Sequence, residues 1–369
     1  MTERKRVLMV STSYPADTKD WRGRFIADMV QSMAGRQDLN LSLWAPPGEH
    51  PNTVADATTQ NDKVWLQKLL DQGGIASQLR NNRITGLLLA ISLLFRLYQV
   101  YRRKPYELAH VNWLQNALPL WGSKTPALIT VLGSDYGLLS KPGMTFMLRA
   151  VFRQRPTILA PNATWMAPRL EKLFGDVAKV ATVPFGVDQR WFAIDRADAE
   201  SDCWLAVTRI TRNKIGDLFT WGEGLFKHRK LHLFGPIQEN VDLPPWAIHH
   251  GHTHPSELCK IWFPRATGLI SLSRHDEGRP QVILEAMAAG LPVIASDLQA
   301  HKDVIQHGET GWLVQDHSEL APALTALEDI ELNKKIGKAA RHWIKQSIGD
   351  WDDCAARFVA LYNEFETPN

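Results

Sequence analysis

Four charged residues in the second half of the chain have the types and spacing to handle a diphosphate bonded to a sugar. Glu277 and Glu285 stand eight positions apart in SRHDEGRPQVILEAMAAGLPVIASD, residues 273–297. Pro280 suits the first turn of a helix, where a missing N–H costs nothing. Residues 281–289 read as helix, Gly290 as its stop, and LPVIASD as a short buried strand. Glu277 then stands in the loop before the helix, and Glu285 lies roughly 7 Å deeper along its axis, at about 1.5 Å of rise per residue. Between them is a helix N-terminus, whose N–H groups and positive dipole end attract phosphate. Upstream, VTRITRNKIGD sets Arg209 five residues before Lys214, after the apolar run CWLAV. Arg offers a planar fork and Lys a point charge, both suited to phosphate. Cations aimed at a departing diphosphate stabilise the transition state more than the ground state. The plainer alternatives are two solvated glutamates near a helix start and a solvated basic loop that also holds Arg212.

The 273–297 segment resembles the Glu-x7-Glu signature of the family 4 glycosyltransferases, which have the GT-B fold. The resemblance covers nearly the whole chain, most strongly 203–314. It implies that Glu277, Gly278, Arg279 and Pro280 hold a donor sugar, the last three through the backbone, and that Glu285 holds the ribose. It gives the leaving diphosphate to Arg209 and Lys214, with Lys214-Ile215-Gly216 standing where the family usually has Lys-Gly. VPFGVDQRWF resembles the family's interdomain element. Gly23, in DWRGRF, precedes the first helix, where a glycine lets another molecule come close to the backbone. In the family this loop touches donor phosphate or acceptor, and Arg22 and Arg24 would add charge. TVLGSD resembles a His-Gly-Ser-Asp element with Leu132 in place of the His. Asp135 remains at a strand end, expected to face the cleft and to contact sugar or acceptor. HVNW (His110, Trp113) resembles another cleft-side motif, and the loop around Gly251 is implied to lie near the nucleobase. Retention of configuration is also implied, with no metal.

These residues need elements to position them, and the chain supplies an alternation. RVLMVS at 6–11, LNLSLWAP, ELAHVNW, PALITVLGSD, TILAPN and KVATVPFG are short apolar runs separated by helical segments, the first over 24–35. After an acidic stretch, AIDRADAESD, the strands restart with CWLAVTR, KLHLFG, AIHHG, ATGLISLS, LPVIAS and GWLV. Such alternation indicates parallel sheets. The expected fold is α/β with two Rossmann-like parallel-sheet domains facing a cleft. The first spans 1–190, joined by a C-terminal helix at about 350–369 that crosses back to it, and the second spans 197–349. A length of 369 residues and 44% hydrophobic content are ample for two cores.

The net charge of +3 hides an asymmetry: 24 Lys and Arg against 14 Asp and Glu in residues 1–190, but 18 against 25 in residues 191–369. The basic half suggests an anionic surface, and without a nucleic-acid motif that surface reads as membrane. ITGLLLAISLLFRLYQV, residues 84–100, carries Thr85, Ser92, Arg96, Gln99 and, just beyond it, Arg103 along one narrow helical stripe and is otherwise apolar. It reads as too short and interrupted to span a bilayer. Residues 63–104 hold eight Lys or Arg and a single acidic residue, Asp71. An apolar helix framed by cations fits shallow binding to an anionic leaflet. A helix buried in the first domain is the other reading.

Cys203, Cys259 and Cys354 are far apart and match no metal spacing. Nor do His249, His250, His252 and His254 match a closed metal site. The N-terminus, MTERKRVLMVSTSYP, lacks the apolar core of a signal peptide, so the expected location is cytoplasmic, peripheral on the membrane if residues 63–104 dock there. No Gly-x-Gly-x-x-Gly follows the first strand, which discounts a dinucleotide-dependent dehydrogenase. The expected activity is hexosyl transfer from a nucleotide-sugar to a glycan or lipid-linked saccharide in envelope polysaccharide synthesis. A catalytically weak nucleotide-sugar-binding protein and a nucleotide-sugar epimerase on the same fold remain as alternatives.

Overall fold

The computed structural model describes residues 4–18, 20–103, 106–196, 202–275 and 278–366. The chain packs as two compact units, Met1–Phe185 with Trp351–Asn369, and Gly186–Asp350.

The first unit is built on strands β1 (Lys5–Val10), β2 (Leu39–Trp44), β3 (Ala55–Asp56), β4 (Leu108–Asn112), β5 (Ala127–Val131), β6 (Thr157–Pro161) and β7 (Lys179–Val180), in the order β3-β2-β1-β4-β5-β6-β7. All pairs are parallel. The strands are apolar on both faces because both faces are covered. Val7 and Met9 of β1 join one core layer, with Met29, Val30 and Met33 of the Arg24–Ala34 helix. Leu8 and Val10 join the other, with Leu93, Leu97 and Val100 of the Arg83–Val100 helix. Only the two-residue β3 had no sequence signal.

The second unit carries β8 (Cys203–Val207), β9 (Lys230–Phe234), β10 (Ala247–Gly251), β11 (Gly268–Ser271), β12 (Val293–Ser296) and β13 (Trp312–Val314), ordered β10-β9-β8-β11-β12-β13 and parallel throughout. In each sheet the winding reverses once, between β1 and β4 and between β8 and β11. Crevices at the carboxyl ends of strands flanking such a reversal are where open α/β sheets bind ligands.

The C-terminal helix, Trp351–Asn363, belongs to the first unit as expected. Cys354, Ala355, Phe358 and Val359 pack in the layer of Met29 and Met33. Lys5 Nζ donates to the Tyr362 carbonyl at 2.7 Å, and Tyr362 Oη lies 2.5 Å from His110 Nδ1. Residues 186–190, assigned by sequence to the first domain, lie in the second unit. Gln281 Nε2 donates to the Gly186 carbonyl at 2.7 Å, Val187 N to the Gly349 carbonyl at 3.1 Å, and the Asp188 carboxylate caps the Gln189–Phe192 turn.

The apolar segment at 84–100 also needs correction. Its helix runs Arg83–Val100 and by length and composition alone passes as a candidate membrane span. Length therefore does not exclude crossing. In the fold, Leu93, Leu97 and Val100 are part of the first unit's core.

Candidate active site

At the reversal of the second sheet, the loop after β8 and the segment after β11 are fastened to each other. Thr208 N donates to the Phe234 carbonyl, and Ile210 N to the Pro236 carbonyl, which guides the chain past Arg209. Thr211 caps the short Arg212–Ile215 helix by accepting from Lys214 N at 3.2 Å. The far side of this loop then docks on β11. Asp217 N donates to the Leu272 carbonyl at 3.1 Å and Arg274 N to the Asn213 carbonyl at 2.8 Å. The Asp217 carboxylate takes the Arg274 guanidinium side-on, with Nε at 2.7 Å from Oδ2. Ser296 Oγ, at the end of β12, donates to the Ser273 carbonyl at 2.6 Å.

Gly216 makes this docking possible. Its φ is 55° and ψ −118°, and a Cβ there would sit 1.9 Å from the Leu272 carbonyl oxygen. Gly216, one place beyond the Lys-Gly spacing of the resemblance, thus lets the Lys214 loop lie against the residue that follows β11. Arg209 and Lys214, both half-buried, are brought to the same end of the sheet; Arg209 Nη1 lies 3.4 Å from Gln238 Oε1.

The segment after β11 leads into the Gln281–Ala288 helix. Glu277 lies outside the described residues. Gly278 and Pro280 are buried. Pro280 has no N–H and cannot give a backbone hydrogen bond, so its expected sugar contact falls away; at φ −75° it shapes the helix entry instead. No described side chain caps that N-terminus. Arg279 is buried in an ion pair with Asp303, Nε at 3.1 Å from Oδ2, so its side chain anchors the loop and only its backbone faces the role inferred from sequence. Within the helix, Ile283, Leu284, Ala286, Met287 and Ala288 are buried, while Gln281, Val282 and Glu285 share the less buried face. The Gly290 stop closes with Leu291 N on the Ala286 carbonyl and Gly290 N on the Met287 carbonyl.

Gly251 ends β10 after a bulge at His250. The histidines around it have separate employments. His249 Nε2 donates to the Gly235 carbonyl at 2.9 Å, and His254 caps the next turn. His250 stacks on His232 and Phe234 and meets Trp262 at a tilt, its Nε2 2.9 Å from His232 Nδ1. Burial pushes His232 down to about 4. Among the described residues no group of three or more His, Cys, Asp or Glu could hold a metal ion. Burial drives the Cys259 thiol up to about 12, away from the thiolate form.

In the first unit the sequence reading fares differently. Asp135 is only 1% exposed, and its two oxygens accept from Leu114 N at 2.8 Å and Leu132 N at 2.9 Å. It clamps the loops after β4 and β5 and is not presented to a ligand; burial raises it to about 6. Gly23 has the close approach that was expected, but the neighbour is the chain itself: a Cβ would lie 2.6 Å from the Ser13 carbonyl carbon. His110 is fully buried, between Tyr362 and Thr130, and burial lowers it to about 3. Trp113 does stand at the carboxyl end of β4, beside the reversal. Its φ of 70° is the one positive value among the described non-glycine residues, and its ring meets Phe25 edge-on at 6.3 Å. Strain of that kind in a bulky residue gathers at ligand sites.

Residues 248–343 match the family model described as glycosyl transferases group 1. D-inositol 3-phosphate glycosyltransferase of Corynebacterium glutamicum (strain R) is 34% identical over 113 residues, 30% of this chain and 26% of that one. Among solved structures, sucrose-phosphate synthase from Thermosynechococcus elongatus matches with a TM-score of 0.73 at 17% identity, over 98% of this chain and 99% of that one. Anabaena Alr3699/HepE in complex with UDP-glucose matches with a TM-score of 0.65 at 15% identity, over 98% and 100%. The chain thus spans about a quarter of the length of the first curated relative, while the fold likeness runs end to end. Residues 248–343 are thus similar to the glycosyl transferases group 1 family, and the two parallel sheets have the GT-B arrangement of strands.

Proposed function

We propose that the protein is a retaining glycosyltransferase that moves a hexose from a nucleotide diphosphate sugar to a saccharide or lipid-linked saccharide acceptor in envelope polysaccharide synthesis. The donor is assigned to the second unit and the acceptor to the first. One observation carries this reading: the loop bearing Arg209 and Lys214 is fastened to the segment that leads into the helix bearing Glu285, at the reversal of the sheet. Two cations and a helix N-terminus suit a diphosphate, and a carboxylate on the open face of that helix suits ribose hydroxyls.

In the transfer, the bond from the anomeric carbon to the diphosphate oxygen breaks as the acceptor oxygen bonds to that carbon. The acceptor proton passes to the departing phosphate. Arg209 and Lys214 take up the charge that develops there, and no metal is needed for that task. Each cation is expected to be worth about 2–4 kcal/mol of barrier, by analogy with lost oxyanion donors. Glu277 and the backbone of Gly278 and Arg279 are assigned to the sugar.

Calorimetric binding of UDP, GDP and ADP, with Lys214→Ala as control, tests the donor site. HepE has been solved with UDP-glucose, so UDP comes first. Binding of one nucleotide, lost in the variant, supports the site; equal binding by the variant sinks it. NMR of the product anomer then tests retention, and would reveal an epimerised sugar instead. A weakly catalytic binding protein is favoured by one feature, the apolar Leu132 where the resemblance would supply His; donor binding without transfer would establish it.

A further inference from the structure

The Arg83–Val100 helix is amphipathic the wrong way round for a surface helix. Asn82 caps it, accepting from Ile84 N and Thr85 N. Its inner face buries Gly86, Leu93, Leu97 and Val100. Arg96, which belongs to the polar stripe, also turns inward: Nη1 lies 2.9 Å from the buried Asp62 carboxylate, and the guanidinium covers the Trp65 ring at 4.9 Å. The outward face is apolar. Ile84 is 74% exposed, Leu88 62% and Phe95 61%, and Leu87, Ile91 and Tyr98 lie along the same side. Steps of three and four residues make these six one continuous stripe.

The ends of the stripe are cationic and aromatic. Arg83 stands exposed at the N-terminal end. At the other, the Arg102 guanidinium lies 3.3 Å from the Tyr98 ring centroid, and Arg102 Nη2 donates to the carbonyl of exposed Trp121. Tyr, Trp and Arg flanking an apolar band is the chemistry of a membrane–water boundary, where rings and guanidinium stems sit at headgroup depth.

We propose that this outward face docks the protein on the surface of a bilayer containing anionic phospholipid. Charge selects that occupant. The unit that bears the helix, residues 1–185 with 351–369, carries 24 Lys and Arg against 17 Asp and Glu, a surplus of seven that an anionic leaflet attracts. A second copy would instead set two such surpluses against each other. Insertion across the bilayer would strip Leu93, Leu97 and Val100 from the core and break Arg96 from Asp62. Shallow burial of Ile84, Leu88, Ile91 and Phe95 leaves all of these in place.

The test is sedimentation of the full chain with vesicles of phosphatidylcholine containing about a third phosphatidylglycerol, against phosphatidylcholine alone, at about 0.1 M and 0.5 M salt. The wild type is expected to bind the anionic vesicles at least about tenfold more than the neutral ones and to be released by salt. Leu88→Glu/Phe95→Glu should abolish binding while keeping the wild-type melting temperature and nucleotide affinity. Arg83→Glu should weaken binding with the apolar stripe intact. Equal sedimentation of the double variant overturns the proposal. So does a wild type that ignores vesicles but forms a dimer the variant cannot form, and so does binding that resists both salt and alkaline carbonate. Nucleotide affinity is read separately, so loss of docking and failure of the transfer reading remain distinguishable.

Discussion

Gly216 and Leu272 approach so closely that the second unit's candidate site depends on the absence of a side chain: a Cβ on Gly216 would lie 1.9 Å from the Leu272 carbonyl oxygen. The contact joins the loop after β8 to the end of β11, and Asp217 N closes it on the same carbonyl. Gly216→Ala must therefore separate the two segments or strain the backbone, at about 1–3 kcal/mol for the unfavourable φ/ψ alone. The expected outcome is a lowered melting temperature together with at least about tenfold weaker nucleotide binding, one decade being about 1.4 kcal/mol. Lys214→Ala should lose binding with the melting temperature unchanged. Calorimetry and thermal unfolding on both variants check the pair; a Gly216→Ala protein that binds normally would show that the docking does not position Lys214.

The two glutamates should fail in different ways. Glu285 sits on the less buried face of its helix with Gln281 and Val282. Glu285→Ala is expected to weaken nucleotide binding by about 1.5–3 kcal/mol, the value of a lost hydrogen bond to a charged group. Glu277→Ala should mainly lower kcat, because contacts to the sugar matter most as the bond breaks. Steady-state kinetics with titrated donor separate the effects, and unchanged kinetics in both would remove the assignment.

Most strands could be read from the sequence because each is a short apolar run closed by turn residues, and the Gln281–Ala288 helix because Pro280 opens it and Gly290 stops it. The placement of Arg209 and Lys214 at the end of the sheet was legible because their loop follows β8 directly. What was not legible is which partner a polar residue chooses. Asp135 at a strand end looks the same whether it meets a ligand or, as here, the amides of Leu114 and Leu132. Arg279 belongs to the run proposed to hold the donor sugar, yet its side chain goes to Asp303, twenty-four residues on. Helical spacing likewise exposed a polar stripe at 85–103 without saying that Arg96 would turn inward and Ile84, Leu88, Ile91 and Phe95 outward. These choices are made by packing between distant segments, and no local pattern encodes them.

The Arg279–Asp303 pair carries its own prediction. Both side chains are almost fully buried. Removing one partner strands a buried charge, at about 3–5 kcal/mol, whereas removing both leaves none. Arg279→Ala and Asp303→Ala should each destabilise strongly, and the double variant should be no worse than either single one. Urea unfolding of the four proteins closes the cycle; additive losses would mean the pair is not coupled.

His110 makes the first unit acid-sensitive. It is buried between the Thr130 and Tyr362 hydroxyls, and burial holds it neutral, with its pKa lowered from 6.5 to about 3. The unfolded chain takes up a proton near pH 6.5 and the folded chain does not. The stability this contributes is full above pH 6.5 and is lost as pH falls from there toward 3. At about 1.4 kcal/mol per pH unit, the loss between pH 6.5 and 5 is about 2 kcal/mol. Asp135 opposes it. Burial raises that carboxyl from 3.8 to about 6, so its contribution is full below pH 3.8 and is lost as pH rises through 6. Between pH 4 and 6 these two contributions to the slope subtract, and His232, lowered to about 4 in the second unit, adds to that of His110. His110→Gln, which removes one titration and keeps a hydrogen-bonding side chain, should be less stable than wild type at pH 7 yet lose less on acidification. Urea midpoints at pH 7, 6 and 5 check this. If wild type and variant lose stability in parallel, His110 is not the group that couples the C-terminal helix to pH.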